Sequence, residues 1–305
     1  MNNKLDLLVL GHTALDYIMQ VDTFSKPNTS TLINDLETFN GGAANNVAVS
    51  SATFGLNVGL ISCVGSDFIG SDYEKILLDL NIDISEMIQS KTARTPRAFV
   101  LTNKDDEQSF YFYWGAAEMY EKSPIPKEII NRSTAVHLAT GDPQYNIKAG
   151  EYAHLENKLV SFDPGQDLHL YKSDDLRRIL PNCNILFGNE HEIDYILNLL
   201  ETTIEEIHEN GTEIVVKTCG DKGSIIYPKN EEPINIEPVK VKADDPTGAG
   251  DSYKAGFLTM YIKENDLKTC GRFASTVSSY IVQTRGCQTN IPHLEQVLEK
   301  MEEIW

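Results

Sequence analysis

The order of the apolar runs limits the fold more than any other feature of this chain. Runs at Leu5–Leu10, 58–64, 135–139, Leu159–Phe162, 185–187, 214–217 and 224–227 have the length of strands. Several are continuously apolar, which marks strands buried on both faces. Helical patterns follow most of them, at 44–54, 73–80, 190–200, 252–263, 268–283 and 293–303. Gly55 and Gly286 are placed to stop two of these helices. Strand–helix–strand repetition predicts an α/β fold with a doubly wound, mostly parallel sheet, in a single domain over residues 1–305. Residues 15–39 and 95–116 break the pattern and read as extended chain. The second reads as a hairpin: an arm at 97–102, a polar turn at 103–107 and an arm at 109–114. Phe110, Tyr111, Phe112, Tyr113 and Trp114 are consecutive, so aromatic rings face both sides of that arm. A small β-sheet lid built from about 12–39 and 93–116 is expected.

A chain of 305 residues, 41% hydrophobic, has ample material for one large core. The net charge of −19 argues against nucleic-acid and membrane-surface partners, which need clustered Lys and Arg. Cys63, Cys183, Cys219, Cys270 and Cys287 are odd in number, widely spaced and free of CxxC, so reduced thiols in a cytoplasmic protein are expected. No run approaches the ~18 apolar residues of a membrane span.

Polar clusters follow the strand ends: Gly11 to Asp16, Gly65 to Asp67, Thr140 to Asp142, Asp163 to Gln166, Asn189 to Glu192 and Thr218 to Gly220. In an open parallel sheet ligands bind beyond the carboxyl ends of the strands, so these clusters predict one long cleft. The sharpest motif is Asp245-Pro246-Thr247-Gly248-Ala249-Gly250-Asp251, which runs into a helix. Its small residues let successive N–H groups point one way, and the helix start adds a positive dipole end, so the place suits an anion. A carboxylate at 251 would repel a bound phosphate in the ground state, so its place there fits a group that accepts a proton from an attacking hydroxyl. A lone GxGD also serves as a turn whose Asp complements the helix dipole. GxxxxGK[ST] is absent, and Gly11-His12-Thr13-Ala14 is not GxGxxG, which opposes a P-loop enzyme and a dinucleotide oxidoreductase.

Together these strings resemble the ribokinase (PfkB) family of carbohydrate and nucleoside kinases. Gly41-Gly42-Ala43-Ala44-Asn45-Asn46-Val47-Ala48 is similar to its first signature, and 245–251 matches its second, DPTGAGD. Val64 to Gly70, Asn189-x-x-Glu192 and Thr218-x-Gly220-x-x-Gly223 are similar to further family motifs. Gly11-His12-Thr13-Ala14-Leu15-Asp16, Phe162-Asp163-Pro164-Gly165-Gln166-Asp167 and Gly286-Cys287-Gln288-Thr289-Asn290 resemble the archaeal nucleoside kinase type. Ala14 and Ala43 stand where kinases of free ribose usually carry Asn and Lys. Their loss of polar groups leaves room for a nucleobase at the anomeric carbon.

The resemblance implies ATP-dependent transfer to the ribose 5′-hydroxyl of a nucleoside. Asp251 would be the base, with the N–H groups of Gly248, Ala249 and Gly250 around the transferring phosphoryl group. Asp16, Gly41, Gly42 and Asn46 would bind the ribose. Gln166, Asn189, Thr218, Gly220, Lys222 and Gly223 would line the ATP site, and Glu192 would hold Mg²⁺ through water. Asp245 and Thr247 resemble a monovalent-cation (K⁺) site. Phe99, Phe110 and Phe112 are candidate base contacts. The small residues Ala274, Ser275, Ser278 and Ser279 suit either close approach to adenine or helix packing. A homodimer through the lid is expected. The rival readings are a kinase of a sugar or sugar phosphate (ribose, ribose 1-phosphate or fructose 6-phosphate), with ATP or ADP as donor and Arg94 and Arg97 as acceptor cations, and a non-catalytic ligand-binding protein.

Overall fold

The computed structural model describes residues 4–105 and 107–305. The chain starts with β1 (Leu5–Leu10), leaves the core through β2 (Ala14–Val21) and β3 (Ile33–Gly41), and returns by α1 (Ala43–Thr53). It continues through β4 (Val58–Ile61), β5 (Cys63–Gly65), α2 (Asp72–Asp79) and β6 (Ile88–Ser90). The hairpin β7 (Arg97–Thr102) and β8 (Gln108–Tyr113) follows, then α3 (Lys127–Asn131) and β9 (Ser133–Leu138). Next come α4 (Pro143–Leu155), β10 (Leu159–Phe162), α5 (Ser173–Ile179), β11 (Ile185–Asn189), α6 (Glu190–Leu200) and α7 (Ile204–Glu209). The last part holds β12 (Ile214–Thr218), β13 (Ser224–Pro228), β14 (Ile234–Ile236), α8 (Ala249–Ile262), α9 (Leu267–Ile281) and α10 (Leu294–Ile304).

The main sheet has the order β14-β13-β12-β11-β10-β9-β1-β4. It is parallel from β12 to β4, and β13 and β14 add antiparallel at one edge. Continuous apolar strands have a direct physical meaning here. Leu7 and Val9 of β1 enter one core layer, with α1, α8 and α9, while Leu8 and Leu10 enter the other, with α4, α5 and α6. Alternate side chains leave a strand on opposite faces, so both faces must be apolar when both are covered. The doubly wound reading is correct.

A second sheet, β3-β2-β7-β8, forms the lid. Directly paired residues share a face, so Phe39, Asp16, Ala98 and Phe112 make one row across it. Tyr17, Phe99 and Tyr111 make the next row, on the opposite face.

Several expectations need correction. The run 58–64 is two strands broken at Ser62, because β4 pairs with β1 in the main sheet whereas β5 pairs with β6 in a separate two-stranded sheet. The run 224–227 is antiparallel, since a tight turn joins it to β12 and leaves no room for a crossover helix. Gly286 does not stop α9, which ends at Ile281; Gly55 does follow the end of α1. Helices α3, α4, α5 and α7 escaped notice. In α4, buried Tyr145, Ile147 and Ala149 are interleaved with Asn146 and Gly150, which hides the apolar stripe. Four of the cysteines are buried and Cys219 is half-buried. Among the described residues no helix is long and apolar enough to cross a membrane.

Candidate active site

The cleft lies where β1, β9, β10, β11 and β12 end and the lid begins. At its centre is the head of α8. Gly248 is the helix N-cap at φ +79°, and a side chain there would meet Cys287 at 2.7–3.0 Å, so this position needs glycine. The helix begins at Ala249, three residues before the expected start at 252, so Asp251 lies within its first turn. Ala249 N–H is turned to Pro246 O (3.2 Å) and is not a donor to the cleft. Among the described residues, the N–H groups of Gly248, Gly250 and Asp251 have no protein acceptor. These, with the dipole of α8, make this end of the cleft suited to an anion. Ser278 Oγ donates to Ala249 O (2.9 Å) and fixes that end from α9. The small residues of α9 serve this packing, since a side chain at Gly256 of α8 would sit 3.1 Å from Ala274 Cα.

Asp251 is held by two partners. Asn46, on α1, donates Nδ2 to Asp251 Oδ2 (2.9 Å), a contact across 205 residues. Lys254, one turn along α8, places Nζ 3.3 Å from Asp251 Oδ1. Asn46 is in turn fixed by Gln288 Nε2 to its Oδ1 (2.8 Å), and the same Nε2 reaches Tyr73 OH (3.1 Å). Tyr73 OH donates to Gly41 O (2.7 Å). Both glycine signatures are thus joined through one network of side chains.

Asp16 lies across the cleft on β2, facing Gly41 so closely that any side chain at 41 would overlap its carboxylate. Burial pushes its carboxyl up to about 7, and the Asp251 and Asp245 charges add to that effect. Ala14 precedes Asp16 on the same face of β2, buried and apolar. His12, at the end of β1, hydrogen-bonds Asp167 through Nε2 (3.1 Å), with Phe112 and Trp114 rings 5.0 and 5.1 Å away. Phe112 thus lies beside this end of the cleft, and Phe110 shares its face but is 54% exposed. Phe99 stacks on Tyr17 (5.2 Å) on the opposite face, because it is one residue out of phase with Asp16. Arg97 also lies on that opposite face, bound to Asp67 Oδ2 (3.0 Å), with Arg94 4.0 Å from the same oxygen.

The remaining candidates line the other half of the cleft. Asn189 and Glu192 form a reciprocal capping box at the start of α6: Glu192 N donates to Asn189 Oδ1 (2.9 Å) and Asn189 N to Glu192 Oε2 (2.8 Å). That leaves Glu192 Oε1 for a ligand. Thr218, Gly220 and Gly223 follow β12 in a tight turn, with Cys219 N bonded to Gly223 O (2.8 Å). Lys222 is exposed, 4.0 Å from Glu190, and Gln166 is exposed in the turn after β10. Asp245 accepts from Thr247 N (2.9 Å) and Thr247 Oγ1 (2.6 Å), closing the turn before the glycines. Among the described residues no cluster of three or more His, Cys, Asp or Glu could cage a metal. A bound Mg²⁺ would have to draw its oxygens from phosphate and water, and Glu192 Oε1 is the candidate to orient that water.

Sequence reasoning assigned no role to Lys254, Asp163, Gln288 or Tyr73. Lys254 had a signal: it lies three residues after Asp251, on the same face of the helix. Gln288 and Tyr73 had none beyond the unusual string 286–290.

A helix start with free N–H groups, a carboxylate in its first turn and a second buried carboxylate on β2 are a set of groups suited to phosphoryl transfer. Residues 4–294 match the family described as pfkB family carbohydrate kinase. The chain is 48% identical to a nucleoside kinase of Methanothermobacter thermautotrophicus over 100% of this chain and 98% of that one. It is 44% identical to a nucleoside kinase of Methanocaldococcus jannaschii over 99% of each. The crystal structure of the Methanocaldococcus jannaschii nucleoside kinase, an archaeal member of the ribokinase family, superposes with a TM-score of 0.92 at 43% identity, covering 99% of this chain and 100% of that one. With matches of this extent, and with both signature loops meeting at Asp251, the chain belongs to the pfkB carbohydrate kinase family, phosphotransferases that act on hydroxyl groups.

Proposed function

We propose that the protein transfers the γ-phosphoryl group of ATP to the ribose 5′-hydroxyl of a nucleoside. The observation that carries this reading is the Asn46–Asp251 hydrogen bond (2.9 Å), which joins the sugar-side helix to the base at the anion hole. Asp16 and Asn46 hold the ribose hydroxyls, with Gly41 and Gly42 letting the chain approach the ring. Asp251 takes the proton of the attacking hydroxyl. An alkanol is a weak acid, so that proton leaves late and positioning supplies most of the rate. The free N–H groups of Gly248 and Gly250 stabilise charge on the phosphoryl group in flight. Thr218, Gly220 and Gly223 line the ATP site, with Asn189, Gln166 and Lys222 toward the phosphates. Bound Mg²⁺ would neutralise phosphate charge, with Glu192 orienting its water. We include K⁺ as a candidate loop cation beside Asp245 and Thr247.

A nucleoside is favoured over a sugar phosphate because Arg97 is tied to Asp67 on the far face of the lid. Buried Ala14 beside Asp16 also leaves apolar space at the anomeric end. Both similar nucleoside kinases support the same acceptor class. In this reading the molecule is one domain whose lid, 12–39 and 93–116, closes to exclude water. Leu32, Leu36 and Tyr111 are exposed on the lid, which favours a lid-to-lid homodimer; a cytoplasmic location completes the reading.

The test is a phosphoryl-transfer panel with Mg²⁺, offering inosine, guanosine, cytidine, adenosine, ribose, ribose 1-phosphate and fructose 6-phosphate with ATP or ADP. Nucleosides should turn over with ATP and lose activity on chelation. Turnover of sugar phosphates without any nucleoside would overturn the acceptor assignment.

A further inference from the structure

Lys254 is a cation inside a nest of carboxylates. Its Nζ hydrogen-bonds Asp163, which is buried at the end of β10, and lies 3.3 Å from Asp251 Oδ1. The Lys254 and Asp251 side chains are 11% and 16% exposed, and Asp163 is 1% exposed. Burial alone would pull the ammonium down, but Asp163, Asp251 and Glu192 outweigh it and hold Lys254 well above the ordinary lysine range. The charge is therefore permanent at any working pH. Its place is the anion hole itself: Nζ is the nearest neighbour a side chain at Gly250 would meet, at 3.7 Å. Asp163 keeps Oδ1 buried without a partner, so the pair is short of donors, not of acceptors.

This arrangement is expensive if it only supports the fold. A buried ion pair recovers little more than its desolvation, and an apolar pair of similar volume is often as stable. Helix α8 also has a buried apolar neighbourhood around Ala255, Phe257 and Leu258 that needs no charge. Among the described residues the other basic candidates are engaged elsewhere: Lys222 is 74% exposed and 4.0 Å from Glu190, Arg97 and Arg94 lie 3.0 and 4.0 Å from Asp67, and Arg285 is paired with Asp35 and Glu37. A phosphoryl group entering between Gly250 and Asp251 would meet Asp251, Asp163 and Asp16 at short range. One fixed positive charge is what makes such an approach feasible.

We propose that Lys254 is a further catalytic residue, whose ammonium passes from the Asp163–Asp251 pair to the transferring phosphoryl group. In the reaction Asp251 takes the hydroxyl proton, the acceptor oxygen bonds the γ-phosphorus, and the bond from that phosphorus to the β–γ bridging oxygen breaks with its electrons going to the ADP leaving group. Lys254 keeps its proton throughout and stabilises charge on the equatorial oxygens. Asp163 is a positioning residue that aims the ammonium. Before the triphosphate arrives, Lys254 also offsets the repulsion between Asp163 and Asp251. The proposal rests on Asp251 being the base of the kinase reaction.

The experiment compares Lys254→Met, Lys254→Arg and the double variant Lys254→Met/Asp163→Asn with the unaltered protein. The double variant removes the stranded carboxylate charge, so it keeps the fold testable if the single variant is unstable. The readouts are kcat and KM with ATP and the nucleoside that turns over best, affinity for ADP, and affinity for ADP with aluminium fluoride plus that nucleoside as a planar phosphoryl mimic. Lys254→Met and the double variant should each lose kcat on the order of 100-fold or more, with ADP affinity within about threefold and affinity for the mimic lost in parallel with kcat. Lys254→Arg should recover part of the loss. Restoration of kcat in the folded double variant to within about threefold would reduce Lys254 to a structural counter-ion and overturn the proposal, as would equal loss of ADP and mimic affinity. Asp251→Asn, run in parallel, tests the base separately: near-normal kcat there refutes the base and leaves the Lys254 result readable from the mimic.

Discussion

Replacing Asp16 by Asn should make the protein more stable and its acceptor site useless. Burial and the Asp251 and Asp245 charges raise the Asp16 carboxyl from the ordinary 3.8 to about 7. At ~1.36 kcal/mol for each pH unit, that rise corresponds to at most about 4 kcal/mol. The sign follows from proton binding. Between pH 4 and 7 the folded protein keeps a proton that the unfolded chain has released, so stability falls as pH rises through this window. The whole cost is in force above pH 7. Asn cannot ionise, so Asp16→Asn escapes it. For 305 residues the unfolding entropy is about 0.64 kcal/mol/K, so the gain at pH 8 is at most about 6 °C in Tm and vanishes near pH 4. Thermal unfolding of both proteins from pH 4 to 9, followed by circular dichroism, gives the difference directly. The same variant should raise the acceptor KM at least about 10-fold, since a hydrogen bond to a charged group contributes roughly 1.5–3 kcal/mol. A Tm difference that does not grow between pH 5 and 8 would refute the claim that Asp16 is held under electrostatic cost for function.

Asp251→Asn should lower kcat about 100- to 10,000-fold, the usual contribution of a general base, while ATP affinity by calorimetry stays within a few-fold. Gly248→Ala should destabilise the protein by roughly 1–3 kcal/mol in denaturant unfolding, because alanine resists φ +79° and meets Cys287, and kcat should fall with it as the anion hole deforms. Glu192→Gln should raise the Mg²⁺ concentration needed for half-maximal rate, while helix α6 loses only the roughly 0.3–1 kcal/mol of charge–dipole interaction because Gln still completes the capping box. An unchanged Mg²⁺ dependence would remove Glu192 from the metal site.

Local patterns carried most of the fold. Continuous apolar runs specify strands covered on both faces, and the glycine run before Asp251 specifies a helix start with free N–H groups. Both follow from backbone geometry within a few residues, so sequence alone determined them. The capping box of Asn189 and Glu192 is equally local, a polar residue followed three places on by Glu, although from sequence that spacing is read only as a family motif. What the tertiary structure decided depends on register and on distance along the chain. Phe112 and not Phe99 shares the face of Asp16, because strand pairing sets which alternate residues line the cleft. Arg97 is withdrawn from the acceptor site by Asp67, 30 residues away in sequence. Ala249 N–H is lost to Pro246 O by a turn that composition does not specify. The Lys254–Asp163 pair joins a helix to a strand end 91 residues earlier. Gln288 reaches back 242 residues to Asn46. No spacing in a single sequence encodes such pairings; they exist because the packed sheet brings the ends of distant strands to one edge, where a single buried cation must answer several carboxylates.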